Sequence, residues 1–133
     1  MAGIFSKIVA GEIPAHIVAE DANFLAFLDV APLAKGHVLV IPKKEVDYIF
    51  DLEPELYSGI FLFAQKVAKA IEAVIPCKKI GIAVIGLEVP HAHVHLVPIN
   101  VVGDINFTKQ KLQPTSSELS EIAAKIKVAY QSY

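Results

Sequence analysis

Apolar positions along this chain follow two periods, and the points where one gives way to the other mark out its elements. Residues 54–75 place Leu56, Ile60, Phe63, Val67, Ile71 and Val74 at the spacing of a single helical stripe, with Gln65, Lys66, Lys69 and Glu72 mostly elsewhere. That spacing predicts a long helix, ended by Pro76. The other apolar runs are of strand length. Residues 15–20 and 23–29 read as a hairpin joined at Asp21-Ala22, residues 37–42 as a strand closed by Pro42, and residues 79–85 and 91–99 as two more strands with Gly86 in their connection. In the second strand Leu25, Phe27 and Asp29 share one side and Phe24, Ala26 and Leu28 the other, so both sides are largely apolar, as in a central strand. Residues 4–10 form a helical turn or two closed by Gly11. Thr115-Ser116-Ser117-Glu118 has the form of a capping box, opening a helix with Leu119, Ile122, Ala123 and Ile126 on one face. About five strands and two substantial helices give an α+β order, with too few strand–helix–strand units for a doubly wound sheet.

Composition bounds the class of protein. With 133 residues, 54% apolar and 20% charged, the chain is expected to form one domain over 1–133, without repeats, low-complexity tracts or linkers. A mean hydropathy of +0.51 is high for a soluble monomer, and it predicts that a second copy of the chain covers part of the apolar surface. The net charge of −2 and the absence of a basic run argue against binding a nucleic-acid polymer. All twelve basic residues are lysine, so a phosphate must be held by histidine, backbone N–H groups or lysine rather than by a guanidinium fork. Cys77 has no intrachain partner and reads as a small buried residue in a reducing compartment. No signal-like N-terminal segment and no membrane-spanning apolar run are seen, so the expected location is cytoplasmic, with no membrane partner.

The chemistry concentrates in Pro90-His91-Ala92-His93-Val94-His95-Leu96-Val97-Pro98. On a strand, His91, His93 and His95 project to one side and Ala92, Val94 and Leu96 to the other, giving a reactive face backed by a core face. Imidazole attacks electrophiles when neutral, donates protons when charged and binds metals. A metal-dependent hydrolase is therefore one alternative, with His37 able to complete a zinc set. Against it, side chains at i, i+2 and i+4 span too much of a strand for all three to reach one small ion. Taken singly, His37 reads as a strand-end histidine, His16 as structural or surface, and Asp29 as a turn residue ahead of Pro32.

Four blocks in order carry a family resemblance. Ile4-Phe5-Ser6-Lys7-Ile8 with Glu12-Ile13-Pro14-Ala15, then Phe27-Leu28-Asp29, then Gly36-His37-Val38-Leu39-Val40-Ile41-Pro42-Lys43-Lys44, and finally Pro90 through Pro98 resemble the histidine triad (HIT) superfamily, in its nucleoside phosphoramidase-like branch. The resemblance covers residues 4–99, and residues 100–133 stand as a C-terminal extension carrying a helix. It implies a five-stranded antiparallel sheet with one long helix and a C-terminal helix. It also implies a hydrolase or nucleotidyl transferase that acts at the α-phosphorus of nucleoside 5′-phosphate derivatives, either phosphoramidates or dinucleoside polyphosphates.

By the same resemblance, His93 attacks phosphorus, His95 contacts the phosphate oxygens, His91 fixes the geometry and His37 orients the triad. Asp29 matches the ribose-binding acid, and Phe5, Ile8, Phe27 and Val30 match positions lining the base pocket. The implied partners are a purine nucleotide and a second copy of the chain, and no metal or other cofactor is required. Relatives commonly carry an asparagine-bearing, glycine-rich loop ending in Gly-Gln-x-Val before the first histidine. Here the chain runs Ile82-Ala83-Val84-Ile85-Gly86-Leu87-Glu88-Val89, shorter, without the asparagine and with Leu87 for the glutamine. Gly86, Glu88 and Val89 keep their places, so backbone contacts to phosphate are expected to survive while polar side-chain contacts are lost. Glu45 stands where many relatives have another histidine. A nucleotide-binding module with little turnover is accordingly a third reading.

Overall fold

A computed structural model describes residues 3–132; residues 1, 2 and 133 of the span expected to form one domain lie outside the described residues. Five strands, β1 (Ile17–Glu20), β2 (Phe24–Leu28), β3 (Val38–Pro42), β4 (Lys79–Ala83) and β5 (Val94–Ile99), form one sheet in the order β1-β2-β3-β5-β4. Every neighbouring pair is antiparallel. Helix α1 (Ile4–Val9) precedes the sheet, α2 (Pro54–Val74) links β3 to β4, and α3 (Ser116–Gln131) closes the described chain. This is the five-stranded antiparallel α+β architecture expected from the sequence.

Local chemistry accounts for the elements. The β1–β2 turn is held by Asp21, whose Oδ1 accepts from the N–H groups of Asn23 at 2.9 Å and Phe24 at 2.8 Å. Strand β2 is buried along its whole length, as its two apolar sides require. Ala26, Leu28, Val38, Val40, Ala92, Val94 and Leu96 line one face of the sheet and pack under Ile60, Phe63, Val67 and Ile71 of α2 and Leu119, Ile122 and Ile126 of α3. The other face carries Phe5, Leu25, Phe27, Leu39 and Ile41. Period two thus sorts β2 and β3 between two apolar clusters. Thr115 and Glu118 form the reciprocal capping box that opens α3. The C-terminal helix therefore seals the core beside α2 and β1.

The last strand is shorter than the sequence pattern predicts, beginning at Val94 rather than His91. Pairing of β3 with β5 stops at Val40 opposite Val94. Pro42 has no N–H to extend the ladder, and the backbone N–H groups of His91 and Ala92 turn instead to Val89 O and Val46 O, at 2.8 and 2.7 Å. Strand β4 likewise ends at Ala83 instead of residue 85, and β1 begins at Ile17 instead of residue 15. The side-chain alternation nevertheless holds: Ala92, Val94 and Leu96 lie in the core under α2 while the histidines keep to the opposite face with Phe5.

Candidate active site

The end of β2, the start of β3 and the approach to β5 meet on the face away from α2. His95 sits on β5 opposite Leu39 of β3, and His37 immediately precedes β3. The Asp29 N–H donates to His37 O at 3.0 Å, which locks the two ends of the 29–37 loop together. Gly36 makes that loop possible, with φ +89° and a position where a Cβ would lie 2.7 Å from Ile75 Cγ1 at the end of α2.

Fixed backbone partners determine the ring tautomers. His37 Nδ1 accepts from the Leu33 N–H at 3.0 Å, so in the neutral ring the proton is on Nε2, which donates to His95 Nδ1 at 3.0 Å. The neutral His95 ring then presents its own Nε2–H. His93 Nδ1 donates to the His91 carbonyl at 2.7 Å, so its Nε2 carries a lone pair when the ring is neutral. His91 Nε2 donates to Pro42 O at 2.8 Å, which leaves His91 Nδ1 buried without a hydrogen-bond partner. Two roles separate by burial: His37 and His91 are each 1% exposed, whereas His93 and His95 reach 7% and 8%.

Burial also favours the uncharged form of His37, His91 and His95. Desolvation first, then the charges of His95, Lys111 and His93, bring the pKa of His37 down to about 3. Desolvation and then the charge of His93 bring that of His95 to about 4. His91 is lowered chiefly by its burial. Burial raises the Asp29 carboxyl, against the opposing pull of the Ala31 N–H, His93 and Lys111.

Around His93 the rings pack edge to face, with Phe5 at 5.2 Å and His95 at 4.9 Å between centroids. Phe5 and Phe27 meet at 5.5 Å, and Ile8 and Val89 pack against the same cluster. Phe5, Ile8, Phe27 and Val89 thus gather on the histidine face. Val30 is instead 66% exposed, and Glu88 is exposed with no hydrogen bond or ion pair to the histidines. Gly86 adopts φ +68° with open space where a side chain would stand. Glu45 accepts from the Gly3 N–H at 2.8 Å and the Ser6 hydroxyl at 2.6 Å, pinning α1 and hence Phe5 to the segment after β3.

Two residues outside the sequence reading join the site. The Phe107 ring lies 4.6 Å from the ring of His95 and 6.4 Å from that of His37, and the Lys111 charge acts on both Asp29 and His37. The one trace of them in the sequence is an isolated phenylalanine in a polar stretch. A cavity of about 550 Å³ adjoins Asp29 and His37 from the side of α3 and is lined by Lys35, Leu112 and Leu119, but not by the triad. The metal-ligating trio among the described residues is Asp29, His37 and His95, whose donor atoms lie within 4.8 Å of one another. It draws one member from the triad rather than three. His37 Nε2 lies 3.0 Å from His95 Nδ1 and 3.8 Å from Asp29 Oδ2, so an ion held by this trio would take the place of the His37–His95 hydrogen bond.

Comparison with known proteins identifies the family. The HIT domain family matches residues 10–101, and the chain belongs to that family. It is 42% identical over 100 residues to the adenosine 5′-monophosphoramidase hnt1 of Schizosaccharomyces pombe, covering 74% of each protein. Among solved structures, a HIT-like protein of Bartonella henselae superposes with a TM-score of 0.82 at 32% identity, over 96% of this chain and 95% of that one. A zinc-bound histidine triad family protein of Mycobacterium smegmatis gives a TM-score of 0.82 at 30% identity, over 99% and 95%.

Proposed function

We propose that this protein hydrolyses or transfers nucleotidyl groups at the α-phosphorus of nucleoside 5′-phosphate derivatives, phosphoramidates or dinucleoside polyphosphates, through a covalent intermediate on His93. The observation that carries this reading is the His93 Nδ1–His91 O hydrogen bond, which reserves the Nε2 lone pair for attack. A neutral nitrogen suits the task because anionic phosphate oxygens repel anionic nucleophiles. Attack forms the N–P bond and breaks the bond from phosphorus to the leaving nitrogen or oxygen, which departs with the bonding pair and takes up a proton from the surrounding water. The His95 Nε2–H donates to the phosphate oxygens as charge shifts onto them. Water then attacks phosphorus, the N–P bond returns its electrons to His93, and the proton released by water replaces the one taken up by the leaving group. Asp29 accepts from the ribose hydroxyls, and Phe5, Ile8 and Phe27 offer an apolar wall for a purine.

The same reading takes the working unit to be a cytoplasmic homodimer. Support comes from β4, an edge strand with one partner in the sheet, and from exposed Ile82, Ile85 and Leu87 on and beyond it. Rapid quenching of a reaction with adenosine phosphoramidate, followed by intact-mass measurement, tests the chemistry. Wild type is expected to gain one adenylate mass and His93→Ala none. Full turnover by His93→Ala would remove His93 from the nucleophile's role.

The Asp29–His37–His95 trio supports a second reading, a metal-dependent hydrolase. Loss of activity on chelation and its return with zinc would favour it over the histidine route.

A further inference from the structure

From residue 102 onward the segment after β5 lies beyond the matched residues 10–101, yet it returns to the histidines. Asn106 Oδ1 accepts from the Thr108 N–H at 3.0 Å and its hydroxyl at 2.7 Å, turning the chain back. The Leu112 N–H donates to Pro32 O at 2.9 Å, anchoring the segment three residues past Asp29. Between these anchors Phe107 lays its ring against His95, and the Lys111 ammonium donates to Phe107 O at 2.6 Å and to Lys109 O at 3.2 Å. Two of the three ammonium protons are therefore engaged, and one is free.

The charges around the site give this lysine a task. Burial holds His37 and His95 neutral and raises the pKa of Asp29, and the chain has no arginine. A nucleotide phosphate brings one or two further negative charges. Among the described residues, Lys111 is the permanent cation that acts on both Asp29 and His37.

We propose that Lys111 is a substrate-binding residue of this site, using its free N–H and its charge to hold the nucleotide phosphate and so to select nucleotides over nucleosides. The proposal rests on the nucleotide reading above and adds a residue supplied by the C-terminal extension. It explains how a site built on the neutral rings of His37 and His95 attracts an anion. The backbone carbonyls that hold the ammonium also preset its position, so little side-chain freedom is lost on binding.

Titration calorimetry with adenosine monophosphate and adenosine, on the full chain and on the Lys111→Gln and Lys111→Arg variants, tests this. Glutamine keeps N–H donors for the two carbonyls but removes the charge. The expected result is adenosine monophosphate binding weakened about tenfold or more in Lys111→Gln, adenosine binding unchanged, and most of the loss recovered in Lys111→Arg. Equal weakening of both ligands, or no change in either, overturns the proposal and leaves Lys111 a loop tether. Should Lys111→Gln fail to fold, the wild type decides: salt must weaken its monophosphate binding and spare adenosine, and equal salt sensitivity overturns the proposal. Binding of neither ligand to wild type would overturn the nucleotide reading itself.

Discussion

His93 Nδ1 stands 2.7 Å from the carbonyl oxygen of His91, so the chain's own backbone chooses which nitrogen of His93 keeps a lone pair in the neutral ring. Because the acceptor is main chain, replacing the His91 side chain leaves this contact available. The His91 side chain does something else: it ties Pro42 O to the approach to β5.

Those two roles predict different losses. His93→Ala should lower turnover by several orders of magnitude while nucleotide affinity changes little, as for loss of a group that acts mainly in the transition state. His91→Ala should cost about a hundredfold through misplacement, together with a lower melting temperature. Steady-state kinetics beside calorimetric Kd values check both. An equal loss in the two variants would mean that His93 contributes position rather than a bond to phosphorus.

Much of the fold was legible because its signals are local. The helical stripe of α2, the hairpin around Asp21 and the capping box at Thr115 each depend on neighbours within a few residues, and each forms where the sequence predicts it. The facing of the three histidines was legible for the same reason, although residues 91–93 leave the strand when Pro42 ends the ladder. Phe107 and Lys111 were not, because their place depends on a long-range bond from Leu112 to Pro32, which no local pattern encodes. The place of His37 beside the triad came from the family resemblance rather than from a local pattern, since its contact with His95 joins residues brought together by the β3–β5 register.

Stability should fall as the medium is acidified below neutrality. The folded-state pKa values of His37, about 3, and His95, about 4, lie below the roughly 6.5 of a free imidazole. From about pH 6.5 downward the unfolded chain takes up protons at these positions that the folded chain does not, so stability is lost until the folded pKa values are reached. Each buried ring contributes at most about 1.4 kcal/mol per pH unit, with His95 giving less because it reaches solvent. Asp29 acts in the opposite sense: its raised pKa relieves part of the loss at lower pH. Urea midpoints at pH 7, 6 and 5 should therefore decline, and more shallowly in His37→Gln. An identical slope in that variant would show that His37 is not held neutral by the fold.

Gly36 and Gly86 both adopt positive φ, +89° and +68°, but only at Gly36 does a side chain meet another atom closely. Gly86→Ala should therefore cost backbone strain alone, about 1 kcal/mol, whereas Gly36→Ala adds a collision with Ile75 and should cost about 2–3 kcal/mol. Gly36→Ala should also lower activity, because Gly36 adjoins His37 and lies in the loop whose ends are tied by the Asp29 N–H and His37 O. Thermal melts of the two variants, run side by side, read the difference. Equal melting temperatures would mean that the end of α2 yields to the new methyl group.

The exposed apolar edge of the sheet predicts the state of assembly. Ile82 on β4 is 53% exposed and Leu87 beyond the strand 89%, and the outer edge of β4 has no partner among the described residues. A second copy aligned along that edge would satisfy the unpaired backbone groups and bury the apolar side chains together. Light scattering should then give twice the 14.4 kDa chain mass for wild type, and Ile82→Asp should shift it toward a single chain by placing a charge where apolar contact is needed. The Asp substitution is on an exposed position, so the monomer itself should keep its fold, as circular dichroism can verify. A wild type that scatters as one chain, or an Ile82→Asp variant that stays dimeric at micromolar concentration, would move the interface away from β4.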